Sequence, residues 1–359
     1  VTSLPRIVSL RAEPLDIELV EPFGIASGAQ TLAANVLVSV ELEDGSVGIG
    51  EAAPFPAVSG ETQASTLSVL AELGPALEKA PARGWRAAAR WLAEAAPAAP
   101  AARCAVETAL LDALCRRGGW SMFGFFGGAA PSLRTDITIT TGSVEHAAER
   151  AASAARDGFD VLKVKTGGVT HDEDRARVEA VMAAAPEARL VLDANEAWSA
   201  DEAVALLESL GAHRERVVLL EQPTAAADLD GLRAIRERTG VAVAADESAR
   251  SARDVARLAE ARAADVVNLK ITKTGIAEAL DMLAVARAHG LGLMVGGMVE
   301  SVLAMSVSAC IAAGHGGFAF VDLDTPLFLK NSPLSGGFSQ VGPHIDVGGI
   351  TSGHGVIRP

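Results

Sequence analysis

The chain changes its hydrophobic rhythm twice, and each change marks a change of architecture. From residue 4 to about residue 53 apolar and polar positions alternate, the period of a strand whose successive side chains point to opposite faces. In VLVSVELEDGSVGIGEAA two such runs flank Asp44-Gly45, a hairpin signal, so an antiparallel sheet is expected. From Glu61 to about Arg117 the spacing becomes helical, as in ETQASTLSVLAELGPALEK and AARCAVETALLDALCRR. After GGAAPS come eight apolar runs: TDITITTG, VLKVKTGG, ARLVLDANE, VVLLEQP, VAVAADES, DVVNLKITKTG, LGLMVGGMVES and FAFVDLDTP. Most are separated by Ala-, Arg- and Glu-rich helical stretches, and eight βα-like units over about 200 residues predict a parallel β/α barrel. A doubly wound open sheet is the alternative, but no GxGxxG turn follows any run.

A barrel collects its chemistry at the C-terminal ends of its strands. Strands two to six end in Lys165, Asp193, Glu221, Asp246 and Lys270, spaced by 28, 28, 25 and 24 positions, one charged residue per unit. The three carboxylates fall on adjacent strands, where mutual repulsion calls for a cation between them. All-oxygen ligation favours a hard divalent ion, Mg²⁺ with Mn²⁺ as a substitute. Lys165 and Lys270 stand four strands apart in a ring of eight, one on each side of a substrate lying on that metal, so the pair suits proton removal from one face of a carbon and return to the other. Each must be neutral in turn; burial, the metal and the neighbouring Lys163 are expected to lower the lysine pKa. Lys163, two residues before Lys165 and on the same strand face, is also placed to meet a substrate carboxylate.

Composition narrows the partners. A net charge of -14 and a pI near 5.0 argue against nucleic acid, whose binding rests on clustered Lys and Arg. No apolar run approaches the length of a membrane span, and three cysteines without CxxC spacing suit a reducing cytoplasm as buried thiols. None of the seven histidines falls at a strand end, so all are assigned to surface or loop positions.

KVK, DAN, EQP, DES and NLKITKTG on strands two to six resemble the enolase superfamily, and within it the muconate-lactonising subgroup. A lysine rather than an aspartate ending strand six, with no histidine ending strand seven, separates the chain from the mandelate-racemase-like branch. The resemblance implies a modified (β/α)7β TIM-like barrel over residues 126–325 and an α+β capping domain over residues 1–125, completed by the tail 326–359. Lys273, beyond the strand, is read as structural. Strand eight carries VDLDT, with Asp322 and Asp324 on one face; in dipeptide epimerases of this superfamily a DxD here holds the substrate's α-ammonium. These two aspartates are expected to lie across the barrel from the metal ligands.

By the same resemblance Thr138 contacts the substrate, and the backbone at Gly297 and Met298 lines its peptide group. The implied reaction is a 1,1-proton transfer at the Cα of the C-terminal residue of a dipeptide, through an enediolate stabilised by Mg²⁺ and Lys163. Asn195 and Glu300 are supporting residues. In relatives acting on alanyl-glutamate an arginine sits where this chain has Gly28; here Phe23, Ile25, Phe55 and Val58 suggest an apolar C-terminal side chain, with Glu21 allowing a cationic one as the alternative. An o-succinylbenzoate synthase or N-acylamino acid racemase would share the lysines and metal but has no use for Asp322 and Asp324; muconate lactonisation and a catalytically silent binding barrel are further alternatives. A homo-oligomer is expected.

Overall fold

The computed structural model describes residues 5–25, 28–79 and 84–358. The first domain opens with a long antiparallel hairpin, β1 (Ile7–Ile25) and β2 (Gly28–Leu42), paired from Ile7 with Leu42 to Ile25 with Gly28. β3 (Val47–Ala52) joins β2 through the Asp44-Gly45 turn, where Gly45 takes φ +83° and Asp44 Oδ1 accepts the Ser46 N–H. Phe23 itself lies on β1, just past a register shift between Glu18 and Phe23.

Helices Gln63–Lys79, Trp85–Ala95 and Pro100–Gly118 accompany this sheet. The last lies directly on β3 because neither partner carries bulk: a Cβ on Gly48 would stand 2.2 Å from Ala109 O, and one on Gly50 2.1 Å from Ala105 O. Gly at alternate strand positions meets Ala at every fourth helix position, and the two backbones touch.

After β4 (Ser132–Arg134) come eight parallel strands paired in chain order: β5 (Ile137–Ile139), β6 (Val161–Lys165), β7 (Arg189–Asp193), β8 (Val217–Glu221), β9 (Val243–Ala245), β10 (Val266–Leu269), β11 (Gly292–Val295) and β12 (Phe318–Val321). A helix lies between each strand and the next, making the expected (β/α)7β arrangement. The sheet curls until its ends meet, the Asp136 N–H donating to Val321 O at 2.9 Å. Outward residues such as Leu162, Leu190, Leu220 and Val267 pack beneath the helices. Inside, Val191, Leu219, Ala244, Val266 and Met294 form an apolar plug that leaves only the C-terminal end for chemistry.

The tail returns to the first domain: Leu329 bridges Leu19, Lys330 N–H donates to Glu18 O at 2.7 Å, and His354 is buried against Asp112. These contacts support the proposal that the tail completes the cap. His354 also corrects the histidine expectation. Its burial is complete, Val356 N–H donates to its Nδ1 at 3.1 Å, and its Nε2 lies 3.0 Å from Ile49 O. Cys104, Cys115 and Cys310 are buried free thiols. Among the described residues no helix is long and apolar enough to cross a membrane.

Candidate active site

Strand register gathers the charged ends. Lys165, Asp193 and Glu221 stand level on β6, β7 and β8, while Asp246 and Lys270 lie one residue past β9 and β10. All five, with Lys163, are at most 5% exposed. Lys163 Nζ lies 3.0 Å from Asp193, 2.8 Å from Glu221 and 2.7 Å from Asp322. Lys165 Nζ is 2.6 Å from Asp193 Oδ2, and Lys270 Nζ is 2.8 Å from Asp246 Oδ2.

Two features of this arrangement bear on the expectations. Asp322, four strands from Glu221, faces the Asp193 and Glu221 carboxylates across the Lys163 ammonium, which touches all three. Lys163 and Lys270 are governed by the acids around them. Burial pulls Lys163 down, but Asp193, Asp322 and Glu221 outweigh it and hold the group well above its ordinary value. Lys270 is likewise pulled down by burial and raised overall, chiefly by Asp246. A divalent ion, whose charge the expected lowering of the lysine pKa counts, acts in the opposite direction to these carboxylates. Asp193 and Asp246 feel the reciprocal effect, since burial raises both while the lysines hold both low.

Among the described residues one group of three acids brings ligand oxygens within 4.8 Å of one another, and it is Asp136, Asp322 and Asp324 rather than Asp193, Glu221 and Asp246. Lysine ammonium groups stand between the latter three. Their donor set still fits a hard divalent cation. Glu221 Oε1 is fixed by Asn268 Nδ2 at 2.8 Å, Oε2 faces the Lys163 ammonium at 2.8 Å, and burial followed by the Asp193 charge raises this carboxyl.

Asp322 and Asp324 lie just beyond β12 rather than on it. Thr138 on β5 donates its N–H to Asp324 Oδ2 at 2.6 Å, leaving Asp324 Oδ1 without a partner. Burial, then Asp322, raises the Asp324 carboxyl to about 7. Asp136 passed unremarked in TDITIT, although it shares the inward face of β5 with Thr138 by simple alternation.

Three other residues were missed, and a fourth, Lys273, was named without its partner. Lys273, read as structural, donates to the backbone oxygen of Asp246 at 2.6 Å and also binds its carboxylate. Gln222 Oε1 accepts the N–H groups of Asp246 and Ser248 at 2.9 and 3.1 Å, so the glutamine of EQP fixes the next strand's ligand loop. Glu247 lines the cavity, its carboxyl raised to about 8 by burial and then Asp246. Glu51 of β3 accepts from Asn35 and from both N–H and Oγ of Ser301, binding the cap to the β11 loop. The supporting residues behave differently from each other: Asn195, at φ +43°, donates its N–H to Asp193 Oδ1 and its Nδ2 to Glu247, whereas Glu300 accepts the Met298 N–H at 2.9 Å. Asn195 and Gln222 (φ +35°) both take backbone conformations that side chains avoid, beside two of the carboxylates.

One cavity is lined by Lys163, Lys165, Lys270, Asp322, Asp324, Thr138, Gly297 and Met298 from the barrel and by Phe23, Phe55 and Val58 from the cap. Phe23 is held edge-on by Phe328, centroids 5.3 Å apart. Glu21 is not among these lining residues; it faces Arg150 at 3.4 Å. The side chain of Ile25 and the surroundings of Gly28 lie outside what is described.

The chain matches two family models, "Mandelate racemase / muconate lactonizing enzyme, N-terminal domain" over residues 9–127 and "Enolase C-terminal domain-like" over residues 146–356. It is 50% identical over 350 residues to an aromatic dipeptide epimerase of Herpetosiphon aurantiacus, covering 98% of each chain. A crystal structure of a mandelate racemase/muconate lactonizing protein from Herpetosiphon aurantiacus superposes with TM-score 0.96 at 49% identity, over 99% of this chain and 100% of that one. A dipeptide epimerase from Enterococcus faecalis, complexed with Mg and L-Leu-L-Tyr, superposes with TM-score 0.90 at 31% identity, over 98% and 99%.

Proposed function

The chain belongs to the enolase superfamily, and from that premise we propose that it is a Mg²⁺-dependent dipeptide epimerase, an isomerase that inverts the Cα of the C-terminal residue. One observation carries the reading: a single cavity contains two amines based on different carboxylates, Lys165 on Asp193 and Lys270 on Asp246, together with the aspartate pair Asp322 and Asp324. The similarity to an aromatic dipeptide epimerase and to a dipeptide epimerase holding Mg supports it.

Asp193, Glu221 and Asp246 would hold the ion. Bound there, it supplies positive charge that compensates these carboxylates and the charge developing on the substrate carboxylate as its α-proton leaves. Asp322 and Asp324 bind the α-ammonium through charge-assisted hydrogen bonds. Lys165 and Lys270 address opposite faces of Cα: one takes the proton, the other returns one, and the configuration inverts. Lys163 stabilises the substrate carboxylate from within the barrel, and Thr138 orients Asp324. Phe23, Phe55 and Val58 supply an apolar wall for the second side chain, supporting a hydrophobic preference. An N-acyl substrate would leave Asp324 Oδ1 buried without a partner, which disfavours the acylamino acid alternative.

Incubation with Mg²⁺ and a panel of L,L-dipeptides in D₂O tests the reading. Deuterium is expected at the C-terminal Cα, together with the L,D product; exchange in N-acylated amino acids but in no dipeptide would reject it.

A further inference from the structure

The scheme above leaves Asp136 without a role. Its side chain is buried at 3% exposure, Oδ1 accepts no hydrogen bond, and it contributes an oxygen within 4.8 Å of oxygens of Asp322 and Asp324. Asp324 Oδ1 is also unpartnered and fully buried. Three oxygens no farther apart than 4.8 Å share a centre within about 2.8 Å of each, which is the length of an N⁺–H···O⁻ hydrogen bond. A primary ammonium carries three N–H donors, one for each carboxylate. Lys163 Nζ meets the nest at Asp322, 2.7 Å away, and is shared with Asp193 and Glu221, which leaves Asp136 Oδ1 and Asp324 Oδ1 without a hydrogen-bond partner.

We propose that Asp136 is a third anchor of the substrate's amino terminus and that the three-carboxylate nest selects a primary α-ammonium over an N-alkylated one. The proposal rests on the dipeptide reading. With Asp322 and Asp324 alone, a secondary ammonium could satisfy both with its two N–H groups. A third buried acceptor changes the outcome, because the N-alkylated substrate leaves one carboxylate unpaired away from water. The specificity therefore lies in Asp136, which sits beside Asp322 and Asp324 without lining the cavity itself, rather than in the pair that does line it.

The test compares the wild-type protein with Asp136→Asn and Asp136→Ala, using alanyl-phenylalanine and N-methylalanyl-phenylalanine in the D₂O exchange assay. In the wild type N-methylation is expected to lower kcat/KM at least about tenfold, mainly through KM. In either folded variant KM for alanyl-phenylalanine should rise about tenfold, more than kcat falls, and the N-methyl penalty should shrink to about twofold. Unchanged KM and an unchanged penalty in folded variants would overturn the proposal. Should neither variant fold, NMR titration of the wild type with alaninamide and N-methylalaninamide decides: preference for the primary amine is expected, and equal affinity overturns it. A second equivalent of Mn²⁺ that binds the wild type and is lost in Asp136→Asn would also overturn it, in favour of a metal site. Absence of exchange with every dipeptide would instead defeat the epimerase reading, while the amide titration would still report on Asp136.

Discussion

Lys165 Nζ lies 2.6 Å from Asp193 Oδ2, an amine and a carboxylate at matching positions on neighbouring strands. Lys270 Nζ makes a second such contact, 2.8 Å from Asp246 Oδ2, although by register Asp246 falls level with Asn268. Both proposed bases thus lean on proposed metal ligands, so the ion's occupancy should control activity. Chelation is expected to abolish α-proton exchange and Mg²⁺ or Mn²⁺ to restore it. Glu221→Gln should weaken metal binding at least about tenfold with the fold retained by circular dichroism, since one carboxylate charge is removed in a buried site. Undiminished exchange in protein stripped of metal would contradict the assignment.

Much of this site was legible because it is periodic. Charges recurring every 24 to 28 residues at the same point of each βα unit can be read without coordinates. The missed residues follow no such period. Asp136 sits two places before Thr138 on a strand whose functional end is the other one, so its position near Asp324 depends on closure of β12 against β5. Lys273 reaches Asp246 from the short helix Ile271–Thr274, a contact 27 residues away in sequence. Glu51 resembles any solvent-facing strand residue until the β11 loop docks on it through Ser301. His354, amid glycines, reads as a loop histidine, and only the return of the tail to Asp112 and Ile49 buries it. Long-range contacts of single residues leave no mark on local pattern.

Substrate preference follows from the two ends of the cavity. Alanyl-leucine and alanyl-phenylalanine are expected to exceed alanyl-glutamate in kcat/KM by at least about tenfold, roughly 1.4 kcal/mol. Phe23, Phe55 and Val58 reward burial of apolar surface at about 0.8 kcal/mol per methylene and offer a glutamate no partner. N-acetylation of the better substrate should cost on the order of a few kcal/mol by removing the cation from Asp322 and Asp324. Side-by-side kinetics check both statements, and a preference for glutamate would mean that another basic group reaches the pocket.

Stability should depend on His354. Burial holds its imidazole below the ordinary value despite the opposing charge of Asp112. In the neutral ring Nδ1 accepts the Val356 N–H, so protonation there must break that bond. With the folded-state pKa depressed, the unfolded chain binds the extra proton first as pH falls through about 6.5, and stability is lost from there down to the folded-state value. Thermal melts of the wild type and His354→Gln between about pH 7.5 and 5 check this: the variant should start less stable, and its deficit should shrink on acidification. A deficit independent of pH would show that the ring's titration is not involved.

The central claim is that two lysines serve opposite faces of one carbon, and stereospecific wash-out of the α-proton in the single variants measures it most directly. With alanyl-phenylalanine in D₂O and Mg²⁺, Lys165→Ala and Lys270→Ala should each lose epimerisation by at least about a thousandfold, within the range by which a positioned proton-transfer group contributes. Each variant should still exchange the α-proton of one stereoisomer, and the two should retain opposite isomers, because the surviving lysine reaches only its own face. Exchange of both isomers by both variants, or of the same isomer by each, would contradict the two-lysine account.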